Sequence, residues 1–216
     1  MRLNARLLLF AFIVFVIFLI APQLTGTSQG SMTLLTVATA GNDTYGGTAH
    51  LDLAIRPGSG DVYLATFPFS KLDTQISTRF ANEIACSIVD VDCGRYDFFY
   101  TITADSTIIG GPSAGASLAA LTVALLDGQT LDDSIAITGT ISAGGIIGPV
   151  GGIHEKVAAA ADEGITTVII PRWDEDVATN ETTNATNGTS ANATVNITYP
   201  DNITIVEAGN LDEVLY

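Results

Sequence analysis

Ser113 and Lys156 are the two residues whose surroundings best suit covalent chemistry. Ser113 lies in Gly110-Gly111-Pro112-Ser113-Ala114-Gly115, just ahead of the apolar run LAALTVALL. Glycines allow a sharp turn and a close approach by substrate, and the start of a helix leaves backbone N–H groups free to stabilise a negative oxygen. Gly111, Pro112, Ala114 and Gly115 are therefore the candidate turn and oxyanion residues. The same string also suits a serine that only caps a helix. A serine nucleophile needs a base, and Lys156 stands in Gly151-Gly152-Ile153-His154-Glu155-Lys156, opening a run of small apolar residues. In water a lysine is protonated; desolvation against apolar neighbours makes the neutral amine available near neutral pH. The competing reading is a solvated lysine on a helix face.

Other chemistries fit less well. His154 is two residues from Lys156, so on a helix the two side chains diverge by about 200° and a Ser-His pair is disfavoured. Neither His50 nor His154 has ligand spacing to Cys86 and Cys93, and no metal site is expected. The cysteines form either a short-loop disulfide, the expectation for an oxidising exterior, or two buried thiols.

The charge balance narrows the partners. With 8 basic against 23 acidic side chains the chain carries a net charge of −15, which excludes nucleic acid as a natural partner. Lys71 and Lys156 are the only lysines. Few lysines with a large acidic excess suit a high-salt, halophilic habitat, where self-repulsion is screened.

The amino terminus reads as a targeting segment. Arg2 and Arg6 precede LLLFAFIVFVIFLI, which runs from Leu7 to Ile20. That length lies between a signal-peptide core and a full span. No charge occurs between Arg6 and Asp43 and no clear small-residue cleavage site follows, so a retained transmembrane or signal anchor is expected over residues 1–24. The positive-inside rule then keeps the N-terminus cytoplasmic and the rest outside, on a single-pass membrane protein. Seven N-x-T sequons, at Asn42, Asn180, Asn184, Asn187, Asn192, Asn196 and Asn202, agree with an exterior glycoprotein, although a polar loop can repeat the pattern by composition alone.

The elements that must position Ser113 and Lys156 follow from periodicity. Residues 25–31 read as a linker and 32–216 as one domain. MTLLTVATA and Gly46 to Ile55 read as strands, and the turn at Pro57 to Gly60 closes a hairpin onto Val62 to Phe67. Leu72, Ile76, Phe80, Ile84 and Ile88 recur every four residues, describing an amphipathic helix. Phe98 to Thr103 is a strand and Pro112 to Leu126 a buried helix ended by Asp127-Gly128. Ile135 to Ile141 reads as a strand, Gly144 to Gly152 as a turn, His154 to Glu163 as a helix and Thr166 to Ile170 as a strand. Residues 177–199 are a polar insertion, after which strand and helix resume at Ile203 and Leu211. The fold class is α+β, a mixed sheet with packed helices.

In order along the chain, Gly-Pro-Ser113-Ala-Gly, Thr138-Gly139, Gly148-Pro-Val-Gly-Gly152, Glu155-Lys156 and Gly164-Ile-Thr-Thr-Val-Ile-Ile-Pro171 resemble the proteolytic domain of the Lon family. Weaker similarity covers Met32 to Pro171 and resumes at Ile203 to Leu215. The resemblance implies a ribosomal protein S5 domain 2-like fold and a serine peptidase with Ser113 as nucleophile, Lys156 as general base and Thr138 orienting the lysine. It also implies polypeptide substrates and a ring-like homo-oligomer. The form resembled is a membrane-anchored, archaeal-like one without the ATPase module: with two lysines, neither in a G-x-x-x-x-G-K-[ST] string, no Walker A motif exists, and cleavage is expected to need neither ATP nor a cofactor. Two departures stand out. Many family members carry an acid where this chain has Gly110, and a basic residue near Gly144.

Two other functions compete. A non-catalytic glycosylated surface module on a peptidase fold would need none of Ser113, Thr138 and Lys156. A small-molecule kinase-like phosphate binder is faintly suggested by GGPSAGASLAALTVALLDG, but lacks the usual glycine-serine density and sits poorly with an exterior location.

Overall fold

The computed structural model describes residues 26–41, 43–172 and 199–215. Its chain order is β1 (Ser28–Ala40), β2 (Asp43–Pro57), β3 (Val62–Ser70), α1 (Leu72–Ile88), β4 (Tyr96–Ile109), α2 (Gly115–Leu126) and β5 (Ile135–Ile137). There follow β6 (Thr140–Ser142), β7 (Ile146–Gly148), α3 (Ile153–Asp162), β8 (Thr167–Pro171), β9 (Thr204–Ala208) and α4 (Asp212–Leu215). Seven strands form one mixed sheet in the order β3-β4-β2-β1-β5-β8-β9, and β6 and β7 make a separate hairpin. β2 alone runs against its neighbours in the large sheet; β1, β3, β4, β5, β8 and β9 share one direction.

Neighbouring strand residues point to opposite faces, and this assigns the helices. Leu34, Ile137 and Ile169 join the core packed by α1 and α2, with Ala81, Ile84, Leu118 and Leu121. Leu35, Ala136, Val168 and Ile170 belong to a second core with Ile153, Val157 and Ala160 of α3. The sheet is thus covered by helices on both faces. Its strands β5 and, after Thr167, β8 are apolar for that reason.

Four sequence expectations need correction. The segment from Pro57 to Gly60 does not close a hairpin, because β4 lies between β2 and β3. The turn instead wraps the start of β4: the Ser59 and Asp61 amides donate to the Asp97 carboxylate at 2.7 and 3.1 Å. Those donors, that of Ser59 foremost, hold the Asp97 pKa below its usual value. β1 begins at Ser28, inside the stretch read as linker; the Ser28 hydroxyl bonds the Leu125 carbonyl, and Gly30 lets Leu121 and Leu125 approach the strand. The expected strand from Ile135 to Ile141 is broken at Thr138-Gly139: the Thr138 amide still bonds Ile169 of β8, but the Gly139 amide leaves the sheet to bond Ser113.

The fourth correction concerns α1. Its apolar row faces the core only towards its C-terminal end: Leu72, Ile76 and Phe80 are exposed, whereas Ile84 is buried and Ile88 packs against the core, and Thr74, Ser77, Thr78, Ala81, Asn82 and Ala85 fill the rest of the buried face. Small side chains let α1 lie close to α2. The buried polar ones are satisfied internally, Thr78 on the Thr74 carbonyl and Asn82 on the Tyr100 hydroxyl.

Tyr100 ties β4 to both helices. Its hydroxyl lies 2.7 Å from Thr122 Oγ1 and accepts from Asn82 Nδ2 at 3.2 Å, and burial pushes its pKa up to about 12. Tyr100→Phe leaves the Asn82 amide without its acceptor, and should lower unfolding free energy by about 1–3 kcal/mol in denaturant titration. A variant as stable as the wild type would show that this trio holds nothing together.

Cys86 and Cys93 are joined as a disulfide across the end of α1. Among the described residues no helix is long and apolar enough to cross a membrane, and no side-chain cluster could hold a metal ion. The stretch from Leu7 to Ile20, most of the insertion at 177–199, and Asn42, Asn180, Asn184, Asn187, Asn192 and Asn196 lie outside the described residues. Asn202 is within them, exposed in the turn before β9.

Candidate active site

The site forms where strand carboxyl ends and helix amino ends converge. Thr138 directly follows β5, Ser113 occupies the turn between β4 and α2, and Lys156 stands in the first turn of α3. In mostly parallel sheets this end is where ligands bind, because helix N-termini point into it.

The turn bearing Ser113 is bent by Gly111, whose φ of 101° lies in the left-handed region that side chains disfavour. Gly115 N–H donates to the Pro112 carbonyl at 3.0 Å, and Ala116 N–H to Gly139 at 3.0 Å. Those two amides are committed. Pro112 has no N–H, so of the candidate oxyanion residues it serves the turn only. Ser113 and Ala114 supply the amides that no bond in the turn engages.

Four bonds lace this turn to the end of β5. The Ser113 carbonyl accepts from Gly139 N–H at 2.9 Å and from the Thr138 hydroxyl at 3.4 Å. Ala116 binds Gly139 in return, and the buried Ser117 hydroxyl donates to the Ile137 carbonyl at 2.6 Å. Ser117 was not singled out from sequence. Its signal was a hydroxyl inside an otherwise apolar helix, where an unbonded polar group would be costly.

Lys156 is 1% exposed, among the largest fully buried side chains. Its Nζ donates to Thr138 Oγ1 at 3.1 Å. A chain of hydrogen bonds therefore runs from the Lys156 amine through Thr138 to the main chain of Ser113. His154, two positions earlier, is exposed and lies against Tyr199, as the helical angle requires.

The β1–β2 hairpin holds α3 in place. A Cβ at Gly46 would overlap the Glu155 carbonyl, one residue before Lys156, so only glycine admits the helix there. Gly144 and Gly145 form the bend between β6 and β7, anchored by Leu211 N–H on the Gly145 carbonyl at 2.9 Å. Arg172 and Glu213 then pair beside it, the Glu213 pKa being lowered by the Gly209 amide and by Arg172.

Comparison with known proteins agrees with this architecture. Residues 95–196 match the model of the Lon protease (S16) C-terminal proteolytic domain. Lon protease 1 of Herpetosiphon aurantiacus is 43% identical over 78 residues, 36% of this chain and 10% of the relative. Lon protease of Methanosphaera stadtmanae is 39% identical over 90 residues, 42% of this chain and 11% of the relative. Lon protease 2 of Bdellovibrio bacteriovorus is 35% identical over 121 residues, 56% of this chain and 13% of the relative. The matched region amounts to 10–13% of these curated relatives' length. Over residues 95–196 the chain is thus similar to the proteolytic domain of Lon-type serine peptidases.

Gly46→Ala should push the first turn of α3 off the hairpin. The expected cost is about 1–3 kcal/mol of stability, read by denaturant unfolding. Gly26→Ala, where an added methyl meets nothing within 4 Å, is the control. Equal stability of the two variants would mean that the hairpin does not fix α3.

Proposed function

We propose that the chain is an ATP-independent serine endopeptidase in which Ser113 and Lys156 form a catalytic dyad and Thr138 orients the lysine. The observation that carries this reading is the wholly buried Lys156, bonded to a threonine that is itself bonded to the nucleophile's main chain. An ammonium removed from water is disfavoured, so burial favours the neutral amine that a base must be. The chemistry then runs in balanced steps. Lys156 takes the Ser113 hydroxyl proton as Oγ attacks the peptide carbonyl carbon. The Ser113 and Ala114 amides face the resulting oxyanion. The lysine ammonium returns the proton to the departing amine, leaving an ester on Ser113. Water, deprotonated by the same lysine, attacks the ester carbonyl, and the ammonium returns that proton to the departing Ser113 Oγ as the acid product leaves.

The wider setting rests on sequence. Arg2 and Arg6 before the run from Leu7 to Ile20 support a single-pass anchor with the domain outside. The Cys86–Cys93 disulfide supports an oxidising compartment, and the exposed Asn202 leaves one sequon open to a glycan. Substrates would be unfolded or extended polypeptides near the membrane, with ring-like self-association as the family resemblance implies.

Cleavage of unfolded casein by the full chain in detergent, at high salt and without ATP, tests the reading. Ser113→Ala and Lys156→Met should each lower kcat/KM at least about 10³-fold with folding intact, and Thr138→Val about 10–100-fold. Because the active amine is unprotonated, kcat/KM should rise with pH through the lysine's folded pKa and then level. Unaltered cleavage by Ser113→Ala would eliminate the dyad. A well-folded wild type with no activity would leave the non-catalytic module as the better reading.

A further inference from the structure

A groove separates β3 from α1. It holds about 310 Å³, and Val62, Leu64, Thr66, Phe69, Gln75 and Arg79 contribute to its walls. Its lining includes a guanidinium and no carboxylate, in a chain with 23 acidic and 8 basic residues. The rim is apolar and open to solvent: Phe69 is 84% exposed, Leu72 68% and Ile76 59%. This is the N-terminal part of α1, where Leu72, Ile76 and Phe80 point outward and Thr74, Ser77 and Thr78 inward. Exposed large apolar side chains at and beside a groove mark a surface that meets a partner.

Three observations say what the partner is. First, among the described residues β3 is the last strand of the sheet, so its outer edge can pair with an added strand, whose alternate side chains would face the groove. Second, the groove is tied to the nucleophile turn. Lys71 N–H donates to the Ile109 carbonyl at 2.8 Å, and the lysine stem lies on Gly110, where an added Cβ would stand 2.5 Å from Lys71 Cδ. Gly110, one of the departures from the family pattern, is what makes room for that stem. Third, the positive charges here are uncommitted. Arg56 stacks over Phe99, Arg172 pairs with Glu213 and Lys156 is buried on Thr138, whereas Lys71 and Arg79 make no ion pair among the described residues.

We propose that this groove docks an extended stretch of the substrate polypeptide in which acidic and apolar side chains alternate, with Lys71 and Arg79 receiving the carboxylates. The proposal rests on the peptidase reading and adds a substrate class to it. The protein's overall negative charge does not forbid such a ligand. Screening confines charge interactions to about 8–10 Å at moderate salt, so the two nearest cations decide.

Binding to the full-length Ser113→Ala protein, which cannot turn substrate over, separates docking from catalysis. The probe is a fluorescein-labelled, C-terminally amidated peptide of alternating Asp or Glu with Leu or Ile, beside its Asn/Gln counterpart, read by anisotropy in about 0.15 M salt. The acidic peptide should bind about tenfold more tightly, and Lys71→Gln with Arg79→Gln should erase the difference. Lys71→Glu with Arg79→Glu should reverse the preference towards a peptide carrying lysines, a gain that misfolding cannot mimic. Equal binding of the two peptides, or discrimination that survives the charge reversal, would overturn the proposal while leaving casein cleavage by the wild type untouched. So would self-association that Leu72→Asp abolishes and the peptide does not compete with, since a second copy would then own the face.

Discussion

An amine enclosed by protein has to find its hydrogen-bond acceptor there, and the architecture can be derived from how this chain satisfies Lys156. The amine reaches Thr138, which lies at the point where β5 stops. A longer strand would carry Thr138 into the sheet and aim its hydroxyl at a packed face. Thr138 still bonds Ile169 of β8, while the Gly139 amide turns away to Ser113, so the strand end becomes the junction for the lysine and the Ser113 turn together. Two apolar cores on opposite faces then fix the helices that deliver Ser113 and Lys156 to that junction.

This arrangement makes demands far from the reacting atoms. α3 must approach the β1–β2 hairpin closely enough that Gly46 can carry no side chain. α2 must lie against β1 with Gly30 beneath it, and α1 against α2 through alanines, a serine and threonines. A shift of α3 by a single methyl's width would move the amine relative to Thr138. Displacements of this order at a preorganised site are known to cost activity steeply.

Much of this was legible in the chain because the demands are local. A glycine-rich turn before an all-apolar helix, and a lysine opening a small-residue helix in a chain with one other lysine, both left direct marks in composition. α1, the buried α2 and the short β8 kept nearly the expected bounds, since periodicity and punctuation define them. What was not legible is which elements become neighbours. Nothing near Pro57 to Gly60 announces that β4 will pass between β2 and β3, because that pairing is made by residues some forty positions on. The facing of α1 was not legible for a related reason. An apolar row ordinarily turns inward, but Ala81 and Ala85 give closer packing against α2, and Asn82 has Tyr100 to meet.

The common direction of six strands has one more consequence. Ser28 opens β1 at the amino end of the sheet, and Leu34 lies level with Ile137. At about 3.3 Å per residue, the point where the chain enters the domain is some 20 Å from Thr138 along the strand. A domain held by its N-terminus would stand on its base like a lamp on a stem, the end bearing Ser113 and Lys156 turned outward to the surrounding fluid and its footing turned towards whatever surface holds it.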